Sequence, residues 1–297
     1  MARSHRHAFT LVELLVVVVI ISILVALLLP AIVGSRERAR SAQCQNRLSE
    51  IAKACLTYES EKGFLPGYKN SFSAVPGLSW AAVLLPNIGR QDMWRLVRVG
   101  DFAPASGFPD PGSSGFQITE LICPSDPRPG LYAALGYAVN CGIEDGTTLP
   151  NPIPSGPQHP EDAAYGVFFN HDANDVPVPQ QIKVRTDRIP DGAQRTILAS
   201  ENLQAGTWMR FNSGTPVTLE PEVGLWWQAS PGACGHINRC KENAPPLPRP
   251  SSNHPGGVNV AFCDGHVDFI TDDVDYSVYQ HLMTPDSKAA GLPPEQL

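Results

Sequence analysis

Nine residues separate His254 from an Asp264-Gly265 pair in the run SSNHPGGVNVAFCDGHVDFI, residues 251–270. Imidazole and carboxylate are the side chains best suited to share a proton or to hold a metal ion. With His266 or Asp268 beside them, His254 and Asp264 could ligate zinc or a similar ion, or work as an acid–base pair. A plainer reading stays open: His254 hydrogen-bonds the hairpin backbone, and Asp264 is present because Asp-Gly makes the turn. Cys234 and Cys240 enclose Gly-His-Ile-Asn-Arg, a loop short enough for a local disulfide or, with His236, for a metal. Cys123 with Cys141 is a second candidate pair. Cys44 and Cys55 lie ~16 Å apart along one helix and cannot bond to each other. The P-loop, the dinucleotide fingerprint, G-x-S-x-G and H-E-x-x-H do not occur, so no enzyme and no resident cofactor is expected.

Glu13 raises a different question. It interrupts Leu11–Leu29, nineteen residues that are otherwise apolar except for Ser22. A helix of that length spans roughly the ~30 Å hydrocarbon layer. Arg3 and Arg6 precede it and keep that end cytoplasmic by the positive-inside rule. An ordinary signal peptide has a shorter core, ~7–15 residues, and a small-residue cleavage site; here Pro30 and then Arg36, Arg38 and Arg40 follow. A plain anchor explains the length but not the carboxylate, which costs about 2–3 kcal/mol in the apolar layer.

The elements that must position these residues follow from periodicity. Cys44, Leu48, Ile51, Cys55 and Tyr58 form one apolar stripe, and Lys62-Gly63 stops the helix, so a single helix is expected from about Phe9 to Lys62. Ser79–Pro86 reads as a short buried helix or strand. Tyr165–Phe169 and Thr196–Ser200 read as strands, the second launched by a turn at Asp191-Gly192. Val258, Val260 and Phe262 alternate with Asn259 and Ala261 as a half-buried strand, with a two-residue Asp264-Gly265 turn and Val267 and Phe269 on the return strand. Residues 100–116 and 144–162 are loop-like in composition. Residues 203–250 carry Trp208, Trp226 and Trp227 without a readable pattern. The expected class is α+β: a long N-terminal helix on an antiparallel sheet with long loops. Residues 1–40 carry a net charge of +3 and the remainder −10, within a total of −7, which argues against nucleic acid as a partner.

Ala8-Phe9-Thr10-Leu11-Val12-Glu13 resembles the prepilin peptidase site, with Ala where pilins prefer Gly. The Cys44-x-Asn46-x-Leu48 helix, Gly63-x-x-Pro66, Cys123-Pro124-Ser125 and the H-x(9)-D-G ending resemble a large bacterial family. Its members join a prepilin-type cleavage/methylation segment to a domain of unknown function. The resemblance implies cleavage between Ala8 and Phe9, N-methylation of Phe9, and pairing of Glu13 with a neighbour's terminal amine. It further implies a leader at 1–8, a transmembrane helix at 9–30, an amphipathic continuation at 31–63 and an exported domain at 64–297, with the hairpin at 254–270. Single-pass inner-membrane location follows, with prepilin peptidase, neighbouring pilin or pseudopilin subunits and membrane lipid as partners. Related pseudopilins bind calcium in a C-terminal loop, which draws attention to Asp272, Asp273 and Asp275. The alternative function is an anchored module binding carbohydrate or an envelope protein; exposed Trp208, Trp226 and Trp227 would favour it and burial would count against it.

Overall fold

The computed structural model describes residues 11–72, 75–99, 117–126, 133–143, 163–209, 223–228, 234–241 and 249–293. The processing residues Ala8 and Phe9, and the segments 100–116 and 144–162, lie outside the described residues, as does much of 203–250.

The fold begins with one helix, α1 (Leu11–Lys62), 52 residues long and therefore about 78 Å at the standard rise. Leu11–Leu29 is exposed along its whole length and is apolar enough to cross a membrane. Pro30 sits inside the helix, where it removes one backbone donor. Burial begins at Cys44 and recurs at Leu48, Ile51, Ala52 and Cys55, the 3.6-residue stripe that docks the C-terminal half, with Tyr58 half-buried at its edge. Gly63, at φ +83°, ends the helix, its N–H donating to the Glu59 carbonyl.

That docked half lies on a five-stranded sheet of order β6-β3-β5-β7-β8, formed by β3 (Tyr137–Ile143), β5 (Ile197–Glu201), β6 (Gly224–Trp227), β7 (Gly257–Phe262) and β8 (Val267–Thr271). Neighbours are antiparallel except β3 and β6. A second sheet of order β2-β1-β4 pairs β1 (Lys69–Phe72) antiparallel with β2 (Val75–Ser79) and parallel with β4 (Asn170–His171). Short helices α2 (Trp80–Val83) and α3 (Gln91–Val99) follow β2, and α4 (Tyr276–Met283) follows β8. The class is α+β, with antiparallel pairs dominant.

Three layers account for the core. On one face of the large sheet Tyr137, Val139, Leu198 and Ala261 pack toward α1; on the other, Ile197, Val258, Val260 and Phe262 pack toward Tyr279 and Met283 of α4. Strand β7 is consequently buried on both faces, not half-buried as its alternation suggests. Its helix-facing residues are small or polar (Gly257, Asn259, Ala261), which allows α1 to approach closely.

Two further expectations are corrected. The β7–β8 connection is a three-residue loop, Cys263-Asp264-Gly265: the Phe262 N–H donates to the His266 carbonyl at 2.9 Å, and the Gly265 N–H to the Phe262 carbonyl at 2.9 Å. This is a β-turn with a one-residue bulge, the usual three-residue hairpin geometry. Tyr165–Phe169 is not a strand. The N–H groups of Val167 and Phe168 both donate to the single carbonyl of Asn140, so no ladder forms until Asn170.

Candidate functional site

His254 does not meet Asp264. Strand β7 runs extended between them, and its six residues set the two ends ~20 Å apart. Asp264 turns instead to His266 across the hairpin loop, Oδ1 accepting from the His266 N–H at 3.0 Å and lying 2.6 Å from Nδ1. Burial raises the Asp264 carboxyl, but its hydrogen bonds to His266 outweigh this and lower it. Asp268 accepts from the Phe269 N–H at 2.7 Å.

His254 points the other way, into a buried cluster where α1, β5 and the segment after residue 121 converge. Its Nδ1 lies 2.8 Å from Oε1 of Glu37 on α1, and its Nε2 lies 3.0 Å from Oε1 of Glu201 at the end of β5. The His254 and Glu201 side chains are 1% and 2% exposed, so both are desolvated. Burial lowers the imidazole pKa, yet the hydrogen bonds and charges of Glu201 and Glu37 outweigh it and raise it. Burial likewise raises the Glu37 carboxyl, and the hydrogen bonds from His254 and from the Ser125 hydroxyl (2.9 Å) bring it below the usual range. In its protonated form the imidazole donates from both nitrogens, one to Glu37 and one to Glu201.

Glu201 is oriented by β7. Its Oε2 accepts from the Asn259 N–H at 2.9 Å and from Asn259 Nδ2 at 3.1 Å, which leaves Oε1 turned toward His254. The same Oε1 lies 3.2 Å from the sulfur of Cys123, and His254 Nε2 lies 3.5 Å from it. That sulfur is bonded to Cys44 of α1, with the Cα atoms 5.3 Å apart. The candidate Cys123–Cys141 pair is therefore corrected: α1 lies over the sheet and presents Cys44 to Cys123, while Cys141 sits half-buried on β3 outside either disulfide. Cys234 and Cys240 are joined to each other. Cys55 and Cys263 are free and buried, and burial pushes both thiols well up.

The other candidates fall into ordinary structural roles. Asp272 accepts from Asn238 Nδ2 at 2.7 Å, and Asp275 caps α4 by accepting from the Ser277 N–H at 2.8 Å. Asp273 is exposed. Trp208 and Trp227 are buried in the core and Trp226 is half-buried, so the first two present no binding surface. His236 packs against Tyr276 with the rings tilted by 57° and 4.9 Å between centroids. Neither Glu37 nor Glu201 belongs to a recognisable motif in the sequence. The available signal for Glu201 was a lone charge closing the apolar strand ILAS; Glu37 is hidden among three arginines.

A model of the prokaryotic N-terminal methylation motif matches residues 3–29. With the exposed apolar half of α1 and the docked half behind it, this defines a type IV pilin-like, membrane-anchored protein of the class that prepilin peptidase processes. A second model, described as a protein of unknown function (DUF1559), matches residues 34–277, and the chain belongs to that family. No curated protein and no solved structure matches the chain. The segments that carried the resemblance in the sequence, at Cys44, Cys123-Pro124-Ser125 and His254, meet in this one cluster.

Proposed function

We propose that the protein is a pilin or pseudopilin subunit with a structural role, inserted in the inner membrane and carrying residues 64–297 outside it. The leader, residues 1–8, is removed between Ala8 and Phe9, and the new terminus of Phe9 is methylated. Subunits assemble side by side through the first half of α1, where Glu13 meets the terminal amine of a neighbour. The carrying observation is the division of α1: Leu11–Leu29 is exposed and apolar, while Cys44–Cys55 is locked into the body. An apolar surface of that size needs lipid or other copies of the same helix to cover it. Within either, a carboxylate is retained only where it has a partner charge.

The experiment is the N-terminal mass of the chain recovered from its native envelope, together with Glu13→Ala. A methylated Phe9 terminus in the wild type, and a cleaved but unassembled Glu13→Ala chain, are expected. An intact Met1 in cells with working prepilin peptidase would overturn the processing step, and normal assembly of Glu13→Ala would overturn the pairing role.

A further inference from the structure

We infer that Cys44, Cys123, Glu201 and His254 form a zinc-type metal site whenever the two cysteines are reduced, so that the body exists in either a disulfide-locked or a metal-locked form. One ligand atom from each residue lies within 4.8 Å of all the others, and all four residues are buried. The set of two thiolates, one imidazole and one carboxylate suits zinc and excludes the all-oxygen preference of calcium and magnesium.

The geometry is already close to that of a loaded site. Zinc–ligand distances of ~2.0–2.3 Å in a tetrahedron place neighbouring ligand atoms ~3.3–3.8 Å apart. Glu201 Oε1 lies 3.2 Å from the Cys123 sulfur, His254 Nε2 lies 3.5 Å from it, and the two lie 3.0 Å from each other. The two sulfurs, bonded here, must part, and the Cys44 sulfur already lies within 4.8 Å of the other ligand atoms. The surroundings are those a metal site needs. Glu37 holds His254 Nδ1 at 2.8 Å, the carboxylate behind a ligating imidazole that fixes its tautomer and orientation. Asn259 holds Oε2 of Glu201 and leaves Oε1 for the ion. Arg47 donates to the carbonyl of Ile122, beside Cys123, and places a positive charge close to a site whose ligands would sum to −1 with a divalent ion.

The chemistry balances in two ways. A newly exported chain arrives with both thiols reduced, and the ion then competes with disulfide formation. In the folded, oxidised protein, a dithiol reductant must break the Cys44–Cys123 bond; it is oxidised to its own disulfide, and each sulfur takes up a proton. Metal entry then releases both thiol protons and the Nε2 proton of His254 to solvent. The oxidised form has no thiolate to offer and does not bind.

The test is refolding of the full chain in detergent micelles under a phosphine reductant with cobalt(II), a spectroscopic stand-in for zinc, against the same chain oxidised before cobalt is added. One cobalt per chain is expected in the reduced protein, with thiolate-to-cobalt absorption in the near ultraviolet and intense tetrahedral bands in the visible, displaced by zinc. Oxidised protein should bind at least 100-fold more weakly. Cys44→Ser and Cys123→Ser should lose the tetrahedral spectrum, and Glu201→Gln should shift it. The double variant Cys234→Ser/Cys240→Ser should keep it unchanged. Absence of cobalt bands in reduced wild type, equal binding by the oxidised chain, or loss of the bands in the Cys234/Cys240 variant would each overturn the site. The reduced-against-oxidised comparison uses the wild-type sequence and stands even where a cysteine variant fails to fold.

Discussion

Removing the two disulfides separately should destabilise the oxidised body by unequal amounts, and the inequality can be worked from loop length. Cys44 and Cys123 are separated by 79 positions, Cys234 and Cys240 by 6. A cross-link restricts the unfolded chain in proportion to the logarithm of the loop it closes, which gives about 4.5 kcal/mol for the long loop and about 2.2 kcal/mol for the short one. Packing acts in the same direction, because Cys44 and Cys123 are 0% and 4% exposed whereas Cys234 and Cys240 are half-buried. Cys44→Ala/Cys123→Ala should therefore cost at least ~2 kcal/mol more than Cys234→Ala/Cys240→Ala. Guanidinium unfolding of the full chain in detergent reads this difference, and the buried Trp80, Trp208 and Trp227 supply the fluorescence signal. Equal losses, or a larger loss from the short loop, would refute the reasoning: the spine would then be held by its apolar stripe alone.

Three further outcomes follow from the same contacts. His254→Ala strips the partner from the buried Glu201 carboxylate and should cost about 3 kcal/mol in the same unfolding assay, while Glu37→Gln, on a side chain 24% exposed, should cost under about 1 kcal/mol. Gly166→Ala should abolish the folded body, seen as loss of near-ultraviolet circular dichroism, because a Cβ there would sit 2.5 Å from the Gly142 nitrogen and 2.6 Å from the Cys141 carbonyl carbon. At His171, burial lowers the imidazole pKa despite the hydrogen bond to the Ile182 carbonyl, and Lys183 lowers it further. Its unfolded form takes up a proton near pH ~6.5 and its folded form only at lower pH, so stability should fall as pH drops below ~6.5 and level off below the folded pKa. His171→Gln should remove that part of the decline in a pH series of unfolding midpoints.

The long helix, its buried stripe, its stop at Lys62 and the pairing of β7 with β8 were legible because each rests on neighbours in sequence: a 3.6-residue period, a glycine cap, and two apolar runs flanking Asp-Gly, though the loop is three residues long and β7 is buried on both faces. The cluster was not, because its members are joined across distance. Glu37 and His254 are 217 positions apart and Glu201 and His254 are 53 apart. Period and turn chemistry carry no information at that range. His254 is visible as a residue, but Asp264, its apparent partner along the chain, is held away by the extended strand between them. Cys44 belongs to the apolar stripe and cannot reach Cys55 along the same helix, but a cysteine on the face that docks is also the one that can reach another element. Tyr165–Phe169 looked like a strand from its apolar residues, and the close crossing of Gly166 over Gly142 decided otherwise.

The position of the Cys44–Cys123 bond also sets where mechanical load enters the body. Among the described side chains of α1, Cys44 is the first that is fully buried, and Glu37 is gripped by His254 and Ser125 just ahead of it. A pull delivered along the spine from Leu11–Leu29 reaches the covalent bond before it reaches Leu48, Ile51 or Cys55. The apolar stripe behind that point is then shielded from peeling, and the tension passes through Cys123 into the segment leading to β3.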